Sequence, residues 1–279
     1  MEKTYETIDA STSSGITTLR FNRPEKRNAM NPTLHREMLD ALTIAEVDPD
    51  TDVVVITGNG DSFCAGQDLK EYFHEMEDTP LARAEIREIA QNWRFRKVYH
   101  FPKPTIAAVN GWCCGGAFTV VASCDVAVVA SDAVMGLSEV NFGHIAGGLV
   151  TKMVAEYMLP RKALYYLMSG ERFDGRTAAE VGFVTEHVPG GRLIERVLEI
   201  AESFRQKDPA ALRACKDAFK GVDIRSMSHE DSYTWLTART GQLKAEQKEQ
   251  WMSGVDAFMG KEFRPGLEPM PKGGSGADA

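Results

Sequence analysis

The stretch "PTIAAVNGWCCGGAFTVVASCDVAVVA" (residues 104–130) holds two short apolar runs, "PTIAAVNG" (104–111) and "DVAVVA" (125–130). Between them lie a glycine-containing segment and "AFTVVASC" (117–124). Short apolar runs bounded by turn residues read as strands buried on both faces, the kind found inside parallel sheets. "AFTVVASC" has room for about two helical turns. The unit is therefore strand, small-residue loop, short helix, strand. The same kind of buried strand occurs upstream in "DVVVITG" (52–58), while "GITTLRFNRP" (15–24) alternates and stops at Asn-Arg-Pro, as a strand ending in a turn does.

Helical spacing marks the segments around these strands. "NPTLHREMLDALTIAEVD" (31–48) carries apolar residues at Leu34, Met38, Leu39, Leu42 and Ile44, and a further helical stretch covers 80–100. Beyond residue 147 the pattern is almost wholly helical, with two late helices expected at 229–248 and 250–260. Strands alternating with helices, followed by a helical final third, predict an α/β core and a helical C-terminal subdomain. The division expected is a core over 1–200, a helical region over 201–264 and a Pro- and Gly-rich tail over 265–279.

Composition narrows the function. The 279 residues carry a net charge of -8, which argues against a general nucleic-acid binder. The five cysteines follow no disulfide framework and no zinc-ligand spacing, so reduced, buried thiols and no metal site are expected. "MEKTYETIDA" lacks the apolar core of a signal peptide, and no run approaches the roughly 20 apolar residues of a membrane span. A cytoplasmic protein is the expectation.

Two small-residue segments follow buried strands: "SFCAGQDL" (62–69) and "NGWCCGGAF" (110–118). Glycine lets a ligand approach the backbone closely, and a helix starting near Gly116 directs unpaired N–H groups toward the same space. If the loops converge, each can give one N–H to a single oxygen. That is an oxyanion hole, in which one donor contributes about 3–4 kcal/mol. The alternative is that the glycines serve only close strand–helix packing.

"NRPEK" followed by "RNAM", then "SFCAGQDLKEY", "KPTIAAVNGWCCGGAF", "CDVAVVA" and "GLSEVNFGHIAGG" resemble, in order and approximate spacing, the crotonase (enoyl-CoA hydratase/isomerase) superfamily. The resemblance runs from about residue 5 to 260. It implies a fold that the linear pattern alone does not give, a crotonase-like spiral of β-β-α turns with a helical C-terminal trimerisation region. It also implies a homotrimer or hexamer, an acyl-CoA substrate, and no cofactor beyond the coenzyme A that the substrate carries. The matching positions for the oxyanion hole are the backbone N–H groups of Gln67 and Gly116.

The carboxylates select the reaction. Hydratases of the common type use two glutamates; the first position is Thr119 here, and the second is Glu139. A single carboxylate that both takes and returns a proton needs a pKa drawn toward neutrality, which burial among Leu137, Val140 and Phe142 would supply. The chain is most similar to the hydroxycinnamoyl-CoA (feruloyl-CoA) hydratase-lyase subgroup, which has serine at the Thr119 position, "DLKEYF" after the first loop and "NGWC" before the second. The resemblance implies that Tyr72 meets the substrate's phenol ring and that a C-terminal aromatic residue, Tyr233 or Trp235, contacts its hydroxyl. Lys26 matches a position at the nucleotide end of coenzyme A. Ala65, Asp68, Leu69 and Lys70 in and just after the first loop, and Ser138, Phe142 and Gly147 around Glu139, complete the implied substrate-binding set with Thr119. His144 departs from the subgroup and is either an additional acid/base or a hydrogen-bonded loop residue. A hydratase or isomerase with one glutamate for another acyl chain, or an inactive crotonase-like scaffold, would share most of these motifs.

Overall fold

The apolar runs become the interior strands of a sheet in the computed structural model, which describes residues 3–76, 79–220, 229–246, 252, 256–257 and 259–262. In chain order the strands are β1 (Ile8–Ser13), β2 (Ile16–Phe21), β3 (Val53–Gly58), β4 (Ser62–Cys64) and β5 (Thr105–Val109). β6 (Trp112–Cys114), β7 (Val126–Ala130), β8 (Val134–Gly136), β9 (Arg172–Asp174) and β10 (Glu186–Val188) follow. The helices are α1 (Pro32–Val47), α2 (Pro80–Gln91), α3 (Ala117–Ser123), α4 (Val150–Tyr157), α5 (Pro160–Ser169), α6 (Gly175–Glu180), α7 (Leu193–Arg205), α8 (Pro209–Lys220) and α9 (His229–Glu246).

Two sheets share the strands. One has the order β1-β2-β3-β5-β7-β10, parallel from β2 onward; the other has the order β4-β6-β8-β9. Each long strand hands the chain to a short strand of the other sheet, β3 to β4, β5 to β6 and β7 to β8, before helix follows. This is the spiral of β-β-α turns that the resemblance implies. Every residue of β5 is buried, as are all but the last of β3 and all but the first of β7. Their unbroken apolar character follows from having protein on both faces.

α1 starts where sequence chemistry places it. Asn31 caps it by accepting the Leu34 N–H at 2.9 Å, and Pro32 occupies the first turn, where its missing N–H costs nothing. Its buried face carries Leu34, Met38, Ala41, Leu42 and Ala45, and among them the polar His35. The helix expected over 80–100 is α-helical only to Gln91 and continues as a π-helical turn over Asn92–Lys97. The wider turn rotates the following side chains relative to an unbroken α-helix. It places Trp93 inside, 6.2 Å from the Phe21 ring, which in turn meets Phe63 edge-on at 5.4 Å.

The chain divides into two units, Met1–Glu202 and Ser203–Ala279. The first contains both sheets; α8 and α9 pack against each other in the second. Most of the helix expected at 250–260, and all of the tail at 265–279, lie outside the described residues. Among the described residues no helix is long and apolar enough to cross a membrane.

Candidate active site

β4 and β6 run parallel, pairing Ser62 with Trp112 and Cys64 with Cys113, so the segments that leave them emerge side by side. These are the two small-residue loops. A Cβ built on Gly66 would lie 2.8 Å from the Cys114 carbonyl oxygen and 3.4 Å from the Gly116 nitrogen, so the loops touch. Gly66 has φ +96°, a conformation that only glycine adopts without strain. Met30 bridges across Gln67: its N–H donates to the Gly66 carbonyl at 2.8 Å, and its carbonyl accepts from the Asp68 N–H at 2.9 Å. In such a parallel bridge the central residue turns its own N–H to the other side. Among the described residues, the N–H groups of Gln67 and Gly116 donate to no protein acceptor.

Glu139 comes from a 3-10 turn, Ser138–Phe142, closed by Gly143. Its carboxylate lies over the second loop, with Oε1 2.9 Å from where a Cβ on Gly115 would be. Gly115 has φ +53°, a conformation that favours glycine, and a side chain there would press on the Glu139 carboxylate. Glu139 Oε2 and Thr119 Oγ1 are both buried with no hydrogen-bond partner. Buried polar atoms are nearly always paired, so each of these two has bonding capacity open to another molecule. Burial raises the Glu139 pKa above the ordinary carboxylate value. The expected cause needs correction in detail: Leu137 is buried, but Val140 is 38% and Phe142 65% exposed, so these two do not enclose the carboxylate. Two unengaged N–H groups on touching segments, with a carboxylate beside them, can stabilise an oxyanion and move a proton next to it.

The remaining residues of the expected set differ in burial. Ser138, Ala65 and Tyr72 are half-buried, whereas Leu69, Lys70, Gly147 and Lys26 are exposed. The Tyr72 ring packs edge-on against His35 at 5.3 Å and Phe73 at 5.0 Å. His144 is exposed; its backbone N–H donates to the Glu139 carbonyl at 3.1 Å. Tyr233 is exposed and Trp235 half-buried on α9 of the second unit. Two positions apart on a helix they point about 200° from one another, so they cannot serve the same surface.

Asp68 is committed within the fold. Oδ1 accepts the N–H groups of Lys70 and Glu71 at 3.0 Å, capping the π-helical turn Leu69–His74, and Oδ2 accepts from Arg23 at 3.0 Å. Three of the acceptor sites of its carboxylate are thus engaged by the fold itself. Burial alone would raise its pKa, but the Glu71 N–H and the Arg23 guanidinium outweigh burial and hold it below the usual value. Asp68→Ala is expected to cost about 2–3 kcal/mol, from loss of a cap and of a partner for a buried guanidinium. Because the folded pKa is depressed, this contribution is full above the unfolded-state pKa and fades as pH falls through the folded one. Urea denaturation of both proteins at pH 7 and pH 3 checks it: the difference in stability must shrink at the lower pH.

Several residues beside the site carry no sequence signal. Two guanidinium groups lie over the Trp112 ring, Arg27 at 4.4 Å and Arg172 at 4.8 Å from its centroid. Arg94 Nη1 would lie 3.0 Å from a Cβ on Gly116, and donates to the Gly116 carbonyl at 3.4 Å. His35 is wholly buried between Trp93, whose indole N–H donates to Nδ1 at 2.9 Å, and the Gln67 amide, 2.8 Å from Nε2. Cys64, Cys113 and Cys124 are buried, as expected, whereas Cys114 is half-buried and Cys215 exposed. Burial pushes the Cys64 thiol up to about 12 and the Cys114 thiol up to about 11, so neither is a thiolate at neutral pH.

Comparison with known proteins matches residues 11–263 to the enoyl-CoA hydratase/isomerase family model. The hydroxycinnamoyl-CoA hydratase-lyase of Pseudomonas fluorescens is 42% identical over 270 residues, 96% of this chain and 97% of that protein. The 2,3-dehydroadipyl-CoA hydratase of Escherichia coli is 33% identical over 202 residues, covering 72% of this chain and 77% of its own. Among solved structures, an enoyl-CoA hydratase subunit from Geobacillus kaustophilus superposes with a TM-score of 0.82 at 26% identity, covering 95% of this chain and 99% of that one.

Proposed function

The chain belongs to the enoyl-CoA hydratase/isomerase family, and we propose that within it the protein is a hydratase-lyase for 4-hydroxycinnamoyl-CoA thioesters such as feruloyl-CoA and coumaroyl-CoA. The observation that carries this reading is the contact between the Gly66–Gln67 and Gly115–Gly116 segments with one carboxylate, Glu139, lying on the second. Where a two-glutamate hydratase would have another carboxylate, this chain has the buried, unpartnered hydroxyl of Thr119. The similarity to the Pseudomonas hydratase-lyase supports the choice of substrate.

The N–H groups of Gln67 and Gly116 hold the thioester oxygen. Glu139 takes a proton from water, and the hydroxide adds at the β-carbon. Electron density moves through the double bond onto the thioester oxygen, and the protonated Glu139 then gives its proton to the α-carbon. In the second stage Glu139 removes the β-hydroxyl proton. The bond between the α- and β-carbons breaks, the aryl aldehyde leaves, and its electron pair becomes the enolate of acetyl-CoA. Proton return from Glu139 to that carbon completes acetyl-CoA. Charge develops on the same oxygen in both stages, so one hole serves both. A carboxyl with a raised pKa suits a group that must both take and give the proton.

Feruloyl-CoA turnover tests the reading directly. Vanillin and acetyl-CoA should appear in equal amounts as the conjugated thioester absorbance is lost. Preferential hydration of crotonyl-CoA, without cleavage of the feruloyl thioester, would replace it with a one-glutamate hydratase. Tyr72, half-buried beside His35, is the residue for the phenol ring. Tyr72→Phe is expected to raise KM for feruloyl-CoA about 3- to 10-fold, the worth of one neutral hydrogen bond, and to leave crotonyl-CoA binding unchanged. Family resemblance and the soluble substrate suggest a cytoplasmic trimer or hexamer, which light scattering of the purified chain would distinguish.

A further inference from the structure

Arg94 has two peculiarities. Among the described residues no carboxylate lies within ion-pair distance of it, although it is half-buried and burial lowers its pKa. The ionisable neighbours that favour its charge are Tyr72 and Cys64, and the Cys64 thiol, pushed up to about 12, is neutral. A half-buried guanidinium with no counter-charge is costly, and negative charge arriving beside it relieves that cost.

The second peculiarity is a shortage of acceptors. The Trp93 indole N–H can only donate, so His35 Nδ1 must accept it. Burial, with the Arg94 charge adding to it, pushes the His35 pKa down to about 3, so the imidazole is neutral and its proton resides on Nε2. That N–H donates to the Gln67 amide oxygen at 2.8 Å. The Gln67 amide nitrogen then faces the guanidinium, donor against donor. Turning the amide over brings its oxygen to 3.3 and 3.2 Å from Arg94 Nη1 and Nη2, but sets the amide N–H against His35 Nε2–H. Either way the cluster Trp93–His35–Gln67–Arg94 is one acceptor and one negative charge short. Arg94 satisfies its Nε–H on the Ala90 carbonyl at 2.9 Å and reaches the Gly116 carbonyl only at 3.4 Å.

We propose that Arg94 is a positioning residue for the oxyanion hole, set against the Gly116 peptide so that its uncompensated charge favours the thioester enolate over the neutral thioester. This rests on the reading that Gln67 and Gly116 hold the thioester oxygen. The neutral ground state gains little from the cation, and the enolate gains much. The guanidinium therefore acts on the step that forms charge rather than on binding. Its Nη1 also donates to the Gly116 carbonyl at 3.4 Å, on the residue that carries the second N–H of the hole.

Acetoacetyl-CoA, whose enolate absorbs in the near ultraviolet, is the probe. Its bound enolate fraction is titrated against pH on the wild type, Arg94→Gln and Arg94→Lys. Glutamine retains an N–H donor for the Gly116 carbonyl and loses the charge; lysine retains the charge. The expected result is a 10- to 100-fold lower enolate-to-keto ratio on Arg94→Gln at fixed pH, with most of it restored by lysine. Acetyl-CoA affinity stays within about twofold and Tm does not fall, since an unpaired, half-buried charge has been removed. An unchanged ratio on Arg94→Gln overturns the proposal. So does a fall in Tm together with loss of acetyl-CoA binding, which would make Arg94 a structural residue only. Enolate formation that depends on Arg94, without feruloyl-CoA cleavage, sinks the lyase reading and leaves this one standing. No bound enolate even on the wild type sinks the hole, and this proposal with it.

Discussion

Glu139→Gln is expected to give a folded protein that binds acetyl-CoA normally and turns over feruloyl-CoA about a hundred- to ten-thousand-fold more slowly, the range for loss of a positioned acid/base. Glutamine has nearly the same shape and keeps the close approach over Gly115. What it lacks is the ability to take a proton from water or from the β-hydroxyl. Wild-type kcat should fall as pH drops through the raised pKa of Glu139, because the reaction begins with the carboxylate, and the variant's residual rate should lose that dependence. Stability carries the opposite sign. A folded-state pKa raised above the unfolded value means that the fold prefers the neutral carboxyl. The stability this lends is full below the unfolded pKa and is lost as pH rises through the folded one. At pH 7 the buried charge is a cost, and the variant should melt no lower than the wild type. Steady-state kinetics from pH 5 to 9, with a melting curve at pH 7, decide it. Turnover within tenfold of wild type would pass the role to another group, with His144, tethered to the Glu139 carbonyl, next in line.

The long strands were readable because burial on both faces leaves an unbroken apolar run: "VVVIT", "TIAAV" and "VAVVA" contain little else. Their partners β4, β6 and β8 were not, for a physical reason. Three residues cannot display a period of two, and "WCC" inside a glycine-containing segment looks like loop. Yet these short strands bring the loops together, since the parallel pairing of β4 with β6 fixes where Gly66 and Gly116 emerge. Motif resemblance therefore implies the spiral, and the pairing of these short strands is its physical cause.

The site was legible unevenly as well. Asp68 also stands in a local pattern of its own: "DLKE" is a cap residue with Glu three positions on, a helix-start signature that local reasoning could have recognised. Arg94 lies in "NWRFRK", which reads as the solvated end of a helix. Only the π-helical turn brings one of those cations beside Gly116, and no composition or spacing announces such a turn. His35 was equally silent, because a histidine at a helical core position has no pattern of its own. It becomes meaningful only when Trp93, distant in sequence, is seen to fix its tautomer.

Gly66→Ala should lower kcat by about a hundred- to a thousand-fold, as loss of one oxyanion donor does, while leaving the affinity for acetyl-CoA within a few-fold. Two effects combine. At φ +96° an alanine is strained by about 1–3 kcal/mol, which should appear as a lower melting temperature. The new methyl would also lie 2.8 Å from the Cys114 carbonyl oxygen, closer than a carbon can approach, and 3.4 Å from the Gly116 nitrogen. Cys114 cannot yield easily, because β6 is held between β4 and β8 and the Gly115 N–H is bonded to the Gly136 carbonyl at 3.1 Å. The first loop must move instead, carrying Gln67 away from Gly116 and separating the two amides that would share the oxygen. The loss must fall on kcat with assays run well below the melting temperature, and acetoacetyl-CoA bound to the variant should enolise less at every pH. A variant that is merely less stable, with kcat and bound enolate unchanged, would mean that the two N–H groups do not act on one atom, and the proposed chemistry would have to be rebuilt without them.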